Sequence, residues 1–569
     1  MSQLSMRHMC RKQFMLGNRK NFNLTLLSVF INSAVGVSIA FIMQNVTEAM
    51  ELQDFKRIKI AIILSVFTAG AALLMGILQK TFRNRYMKKG LSQFKMFVFE
   101  KLLNKSIGGF GDTSSGQFIS AFSNDLASIE SNYLSGNINI VTQITTFIGG
   151  VAAMTYINWR LMLCVMATSA LPCFVALKYS KKITQKEKQT SAKNAGFVDQ
   201  VKDLLNGFIV IKSFKAEMEV LRIFDRQNSE LEEVKRKRRE TGDMVSILSE
   251  SSYTIVTIVL VSIGTLFVFK GLMTIGGVLA FVQLSNYVLN PIHRMVPLYS
   301  NRKAAIALID KLAATIEAED SGKNKTEIKK FDKVISFRNV SFAYEEDKTV
   351  LNNISVDFEK GKSYAIVGNS GGGKSTLLRL LLGHFSNYKG QIMIDGNELR
   401  DISLGSLYDV VSVIQQNVFL FASSLKDNIT MFKDFPEDKY ENAVRLAGLT
   451  DLLREKGNEY NCGEGGCNLS GGEKQRVSIA RCLIRETPIL LMDEATAALD
   501  NETALSVSNA ILDIDGLTRI IVTHKLEESI MKKYDEIVVV NNGTIVERGV
   551  FSDLMSRKGY FYSLFNVSQ

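Results

Sequence analysis

At 569 residues the chain is longer than one ordinary domain, and an average of 46% hydrophobic and 22% charged residues conceals two regions of different chemistry. The formal net charge of +11 would suit nucleic acid, anionic lipid or a membrane topology; its placement beside long apolar runs, without any aromatic-interleaved basic module, argues against nucleic acid. The six cysteines, Cys10, Cys164, Cys173, Cys462, Cys467 and Cys482, form no CxxC pair, so reduced thiols are expected, and no second ligand pair succeeds Cys462 and Cys467 at zinc spacing.

The chain opens with Arg7, Arg11, Lys12, Arg19 and Lys20 and reaches no long apolar stretch before Phe22. The apolar stretch beginning there is too long for a signal-peptide core and shows no small-residue cleavage site, so the N-terminus is read as retained. Six apolar segments lie at about 23 to 45, 58 to 79, 134 to 157, 160 to 179, 244 to 269 and 273 to 296. Each approaches the roughly 20 helical residues that cross about 30 Å of hydrocarbon. Asn158-Trp159-Arg160 and Lys270-Gly271-Leu272 are short enough to make hairpins of the third and fourth segments and of the fifth and sixth. Those hairpins open on the external side, because the long basic connections, with Lys80, Arg83, Arg85, Lys88, Lys89 and the run Lys235 to Arg239, mark the cytoplasmic one. Trp159 then falls at an interface.

The inner connections, residues 80 to 133 and 180 to 243, carry helical periodicity, and long helices protruding into the cytoplasm account for them. Breaks at Asp112-Thr113-Ser114-Ser115-Gly116-Gln117 and at Asn206-Gly207 are the expected turning points. Residues 1 to 317 thus read as a membrane domain, the polar stretch 318 to 333 as a linker, and residues 334 to 569, where short β-like runs alternate with helices, as an α/β domain. The fold class is multi-domain: an all-α six-helix transmembrane domain followed by an α/β domain.

Gly368-Asn369-Ser370-Gly371-Gly372-Gly373-Lys374-Ser375-Thr376 comes after an apolar strand and opens a helix, the setting a phosphate-binding loop requires. Glycines let successive N–H groups converge on phosphate oxygens, Lys374 supplies a cation between the β- and γ-phosphates, and Ser375 offers a hydroxyl to Mg²⁺. A second strand, Ile489 to Met492, ends in Asp493-Glu494. Beside such a loop Asp493 is the expected Mg²⁺ partner and Glu494 the group that orients or deprotonates the attacking water. The α/β domain is thus expected to be a P-loop NTPase whose ligand is a nucleoside triphosphate with Mg²⁺.

Between these lies Leu469-Ser470-Gly471-Gly472-Glu473. Taken alone this is a helix cap with a glycine pair; standing between the phosphate loop and the Asp-Glu strand, it makes the chain resemble the ATP-binding cassette transporters, whose signature it matches. The resemblance covers nearly the whole chain, and the membrane half looks like that of exporter-type half transporters. It implies that Tyr344 stacks on adenine, that Gln416 senses Mg²⁺ and the attacking water, that Asp500 belongs to the loop crossing the dimer interface, with Ala497 where serine is usual, and that His524 contacts the γ-phosphate. Glu464 would face the membrane-domain loops. The preceding Gln415, where proline is common, leaves two glutamines to choose between.

In that family Ser470 and Gly472 complete a γ-phosphate site held by the other subunit's counterpart of Lys374, so ATP is sandwiched between two chains. The implied partners are a second half transporter, with a homodimer favoured because the carboxylate and the signature are both intact, together with the lipid bilayer and a small-molecule, lipid or peptide substrate. The breaks near 113 to 119 and 207 to 214 resemble the coupling helices. The implied activity is ATP-driven export by alternating access from a multi-pass site, in a bacterial plasma membrane, with N-terminus and cassette cytoplasmic. Import of a siderophore or metal chelate on the same scaffold, and a membrane ATPase gating a channel, are the alternatives. Asn32, Gln44, Gln283, Asn286 and Asn290 are candidate cavity residues, although polar residues in membrane helices also bond neighbouring helices. The scarcity of central charges in the spans points away from an ion pathway.

Overall fold

The computed structural model describes residues 3–105, 107, 115–317, 325–344, 349–496 and 499–568. The expected break at 112 to 114, the first part of the linker and Ala497 lie outside the described residues. The chain divides into two compact units, one of residues 1–104 and 114–318, the other of residues 105–113 and 319–569.

The first unit is helical: α1 (Gln3–Gln13), α2 (Arg19–Glu51), α3 (Phe55–Leu103), α4 (Ser135–Asn206), α5 (Glu217–Phe269) and α6 (Ile275–Glu317). Among the described residues, five helical stretches are long and apolar enough to cross a membrane: Arg19–Glu51, Phe55–Leu103, Phe118–Ala170, Glu217–Phe269 and Ile275–Ile316. The third and fourth apolar segments of the sequence share α4, which breaks at Asn158, where φ is −161° and ψ is 105°. The Asn158 Oδ1 accepts the N–H groups of Arg160 (3.1 Å) and Leu161 (3.2 Å). One residue thus ends one helix and caps the next, so the break needs no separate loop.

At 1.5 Å per residue, the 53-residue α5 is about 80 Å long, far more than the ~30 Å of hydrocarbon it has to cross. The surplus runs antiparallel to α4, as the pairs Lys193–Glu230 (2.5 Å) and Glu187–Arg238 (2.8 Å) show. Both pairs are exposed, so they mark register more than they add stability. After Asn206 a short helix, Phe208–Ser213, leads into α5. Its apolar side chains are uncovered in the single chain, Ile209 to 77% and the adjoining Phe214 to 79%.

Two clusters hold this unit together. One joins α1, α3 and α6 through Phe14, Phe94, Ile309 and Leu312, with Phe14 stacked on Phe94 at 4.6 Å. The other joins α2, α4, α5 and α6 through Ala40, Met154, Leu260 and Phe281. Gly150 permits a close approach of α4 to α6, since a Cβ there would sit 2.8 Å from that of Tyr287. Small residues let membrane helices touch in this way.

The second unit holds two sheets. Strands β1 (Val334–Ala343), β2 (Thr349–Glu359), β4 (Lys389–Ile394) and β5 (Asn397–Glu398) form an antiparallel sheet in the order β2-β1-β4-β5. The other contains β3 (Ser363–Val367), β6 (Val411–Ile414), β7 (Ile489–Asp493), β8 (Thr518–Val522), β9 (Glu536–Asn541) and β10 (Thr544–Gly549), in the order β10-β9-β3-β8-β7-β6. Pairing is parallel from β9 to β6. All five residues of β3 and of β8 are buried, as expected for central parallel strands covered on both faces.

Candidate nucleotide site

In an open parallel sheet, ligands bind beyond the carboxyl ends of the strands. Here four of those ends converge. β3 runs into Gly368 to Lys374, β7 ends at Asp493, β8 leads to His524, and β6 leads to Gln416.

The loop after β3 needs glycine for reasons of space and of dihedral angle. Gly368 has φ of +148°, and a Cβ there would lie 1.9 Å from the Val540 carbonyl oxygen; Gly371 has φ of +77° with open space around it. A side chain at Gly371 therefore meets only the left-handed penalty of about 1–2 kcal/mol, whereas one at Gly368 also displaces β9. Gly368→Ala should lower the thermal midpoint of the full-length protein clearly more than Gly371→Ala does. Equal shifts in a melting experiment would refute the steric account.

Gly373 caps α7 (Lys374–Leu381) with φ of 98°. Lys374 is 5% exposed, and its ammonium donates to the carbonyls of Gly368 (2.9 Å) and Asn369 (2.7 Å). Burial pulls its pKa below the usual lysine value, while Glu494 and Asp493 pull it back up. A polyphosphate at this point would compensate a cation that has lost its water.

Ser375 Oγ donates to Asp493 Oδ1 at 2.9 Å. Burial pushes the Asp493 carboxyl above the ordinary aspartate range; the Ser375 bond opposes this and the neighbouring Glu494 adds to it. A hydroxyl beside a carboxylate is the hard-oxygen donor set that suits Mg²⁺.

Glu494 adopts φ of 51°, rare for a side chain of this size, and its N–H donates to the Val522 carbonyl at 3.0 Å. The turn aims the carboxylate between two partners. Gln416 Nε2 donates to Oε2 at 2.8 Å, and His524 Nε2 stands 3.0 Å from Oε1. Gln416, and not Gln415, is thus the glutamine bonded to this carboxylate.

Tyr344 is half-exposed, its ring edge-on to Phe342 and Phe385 and its hydroxyl 3.0 Å from Thr376 Oγ1. Beside Ser375 and Asp493 a cavity of about 470 Å³ is lined by Arg379, His384, Phe385 and Gln416.

The signature residues stand apart from this group. Ser470 caps α8 (Gly471–Leu483) in a capping box, accepting the Glu473 N–H (3.3 Å) while its own N–H donates to Glu473 Oε2 (2.6 Å). Leu469 is buried and anchors the turn; Ser470 and Gly471 are exposed, as is Glu464. Asp500, also exposed, caps α9 (Asn501–Leu512) by accepting the Thr503 N–H at 2.9 Å. Two helix N-termini are therefore presented at the surface of the cassette.

In the membrane unit, Asn286 and Asn290 line a cavity of about 1050 Å³ among α4, α5 and α6. Asn32 is instead bonded to Gln79 and Gln44 to Glu48, each at 2.8 Å, and Gln283 is not part of the wall. Glu250, which the polar pattern of the spans did not single out, does line it. The signal was present: a lone acid inside the apolar segment 244 to 269.

Comparison with known proteins agrees with this organisation. Residues 21–292 match the ABC transporter transmembrane region and residues 351–497 match the ABC transporter family. The chain is 30% identical to YwjA of Bacillus subtilis, an uncharacterized ABC transporter ATP-binding protein, over 82% of each chain. It is 27% identical to an ATP-dependent lipid A-core flippase of Syntrophus aciditrophicus, over 95% of this chain and 91% of the relative. The structure of a bacterial Atm1-family ABC exporter with ATP bound superposes with a TM-score of 0.86 at 21% identity, covering 96% of this chain and 99% of the other, so the fold is shared. With phosphate loop, acid strand and signature in one cassette and a membrane region ahead of them, the chain belongs to the ATP-binding cassette transporters, integral membrane proteins whose ATPase is coupled to transport.

Proposed function

We propose that this chain is one half of a dimeric exporter that uses ATP to move an amphipathic small molecule, lipid or peptide out of the cell by alternating access. The observation that carries the reading is the division of the cassette into two incomplete half-sites. Lys374, Asp493 and Glu494 converge at one place, while the exposed Ser470 and Asp500 cap helices that meet no such group among the described residues of their own chain. A second copy supplies what each half lacks, and the intact Glu494 and signature favour a homodimer. The uncovered Phe208, Ile209 and Phe214 support a partner surface at the α4–α5 turn.

In this reading Tyr344 stacks on adenine, and Gly368 to Thr376 cradle the phosphates. Ser375, Asp493 and Gln416 would hold Mg²⁺, which supplies charge neutralisation on the phosphate oxygens when bound. Glu494 takes a proton from the attacking water, with Gln416 and His524 fixing its two oxygens. Leu469 to Glu473 of the partner close over the γ-phosphate, and Asp500 lies at the seam. The basic flanks support a cytoplasmic N-terminus and cassette in a plasma-membrane protein. Relatives named lipid A-core flippases support a lipid-like or amphipathic solute.

Mixing tests the sandwich. Chains carrying Lys374→Ala and chains carrying Ser470→Ala should each hydrolyse ATP poorly, whereas mixed dimers contain one site with both lesions and one with none. Co-expression should therefore restore ATPase well above either variant alone. A mixture no more active than its parts would reject the shared site. Accumulation of labelled solute inside inverted vesicles would establish direction.

A further inference from the structure

The α4–α5–α6 cavity has a charge arrangement that the proposed export function leaves unexplained. Glu250 projects from α5 into a wall that also carries Tyr253, Asn286, Asn290 and His293. Taking residue 244 as the start of the fifth apolar segment, Glu250 lies about 9 Å inside it at 1.5 Å per residue. A carboxylate at that depth is costly unless water or a cation meets it, and such residues mark solute or ion paths.

No described residue forms a salt bridge or a side-chain hydrogen bond with the Glu250 carboxylate. Tyr253 Oη donates to Asn286 Oδ1 at 2.8 Å, which fixes the antiparallel register of α5 and α6 and sets Glu250 level with Asn290. The cationic wall residues are Lys188 and Lys303. Lys303 lies thirteen residues beyond Asn290 along α6, about 20 Å further toward the cytoplasmic end of the helix. Lys188 is next to Glu187, which pairs with Arg238 at 2.8 Å, so it sits near residue 237 of α5, again about 20 Å from Glu250. That separation is roughly twice the Debye length at physiological salt. Arg294 is not part of the wall, and neither is Lys178, which the same register sets near residue 247 of α5. The deep end of the cavity therefore presents a carboxylate, two amides, the His293 imidazole and an aromatic ring, while the lysines of the wall stay at the rim.

We propose that Glu250 is the charge-recognition residue of the solute site, and that the transported amphiphile carries a cationic head, such as an ammonium, guanidinium or phosphonium group. Asn286 and Asn290 bond its polar substituents, and Tyr253 offers a ring face to the cation. This assignment rests on the chain being an exporter and names the class of its solute.

Tetraphenylphosphonium and tetraphenylborate are matched in shape and opposite in charge, and subtracting their unequal uptake by empty nanodiscs, which the interfacial dipole potential causes, isolates this effect. Binding is measured to the full-length protein in phosphatidylcholine nanodiscs. The wild type should bind the phosphonium at least tenfold more tightly than the borate. Glu250→Gln should weaken phosphonium binding by tenfold or more without weakening borate binding, and Glu250→Asp should keep the preference for the cation. Absence of phosphonium binding to the wild type, a preference for borate, or equal phosphonium affinity in the wild type and Glu250→Gln would overturn the proposal. The wild-type comparison stands even if a variant fails to fold. Successful complementation between Lys374→Ala and Ser470→Ala without a charge preference would sink only this assignment; failed complementation would sink the dimeric reading itself.

Discussion

Glu494→Gln should lower steady-state ATP turnover by about 10²–10⁴-fold, the usual contribution of a positioned general base, while ATP still binds. The substitution keeps the shape of a side chain held between Gln416 Nε2 at 2.8 Å and His524 Nε2 at 3.0 Å, so the phosphate loop and Lys374 are left in place. Only the proton acceptor is removed. In the proposed mechanism closure of the sandwich follows binding and its opening follows hydrolysis, so the variant should accumulate as an ATP-bound dimer. Size-exclusion chromatography with ATP and Mg²⁺, together with phosphate release, provides the check. Turnover within about threefold of the wild type would remove Glu494 from the chemical step, because it would leave almost none of the effect expected of a general base.

Lys374→Ala should act earlier, on binding. Its ammonium is buried and held by two carbonyl oxygens of the loop, so losing it takes away a charge-assisted contact worth roughly 1.5–3 kcal/mol, or about 10- to 100-fold in nucleotide affinity. Turnover and transport should fall together, and no ATP-trapped dimer should form even when Glu494→Gln is added. Alanine also leaves the Gly368 carbonyl without a donor, while that of Asn369 keeps the Gly372 N–H at 3.1 Å, so Lys374→Met, which restores bulk and not charge, separates packing from electrostatics. Binding that survives in both variants would mean that the backbone N–H groups hold the phosphates unaided. The two carboxylate and lysine variants thus fail differently, one after ATP is bound and the other before.

Much of the site was legible because its parts are local. A phosphate loop is built from consecutive backbone groups, so Gly368 to Ser375 reveal it by spacing alone, and Ser470 with Glu473 forms a capping box within one helical turn. The apolar segments were legible for a different reason: a bilayer imposes a length of about 20 residues whatever a helix packs against. The face each polar residue turns to was not legible. Asn32 and Asn290 look alike in sequence, yet one bonds Gln79 and the other lines a cavity, because helix packing decides which side of a span meets protein and which meets open space.

The sequence by itself therefore determined that a membrane region precedes an ATP-binding cassette, and which short stretches carry the phosphate-loop and signature patterns. Only the tertiary structure decided that Gln416, rather than Gln415, reaches Glu494 across 78 residues of chain, that His524 closes on the same carboxylate, that Asn158 alone ends one helix and starts the next, and that Glu250 stands in a cavity without a described counter-charge. The physical reason is the strand order β3-β8-β7-β6, together with the antiparallel register of α5 on α6. Both make neighbours of residues far apart in the chain, and neither is written in any local pattern.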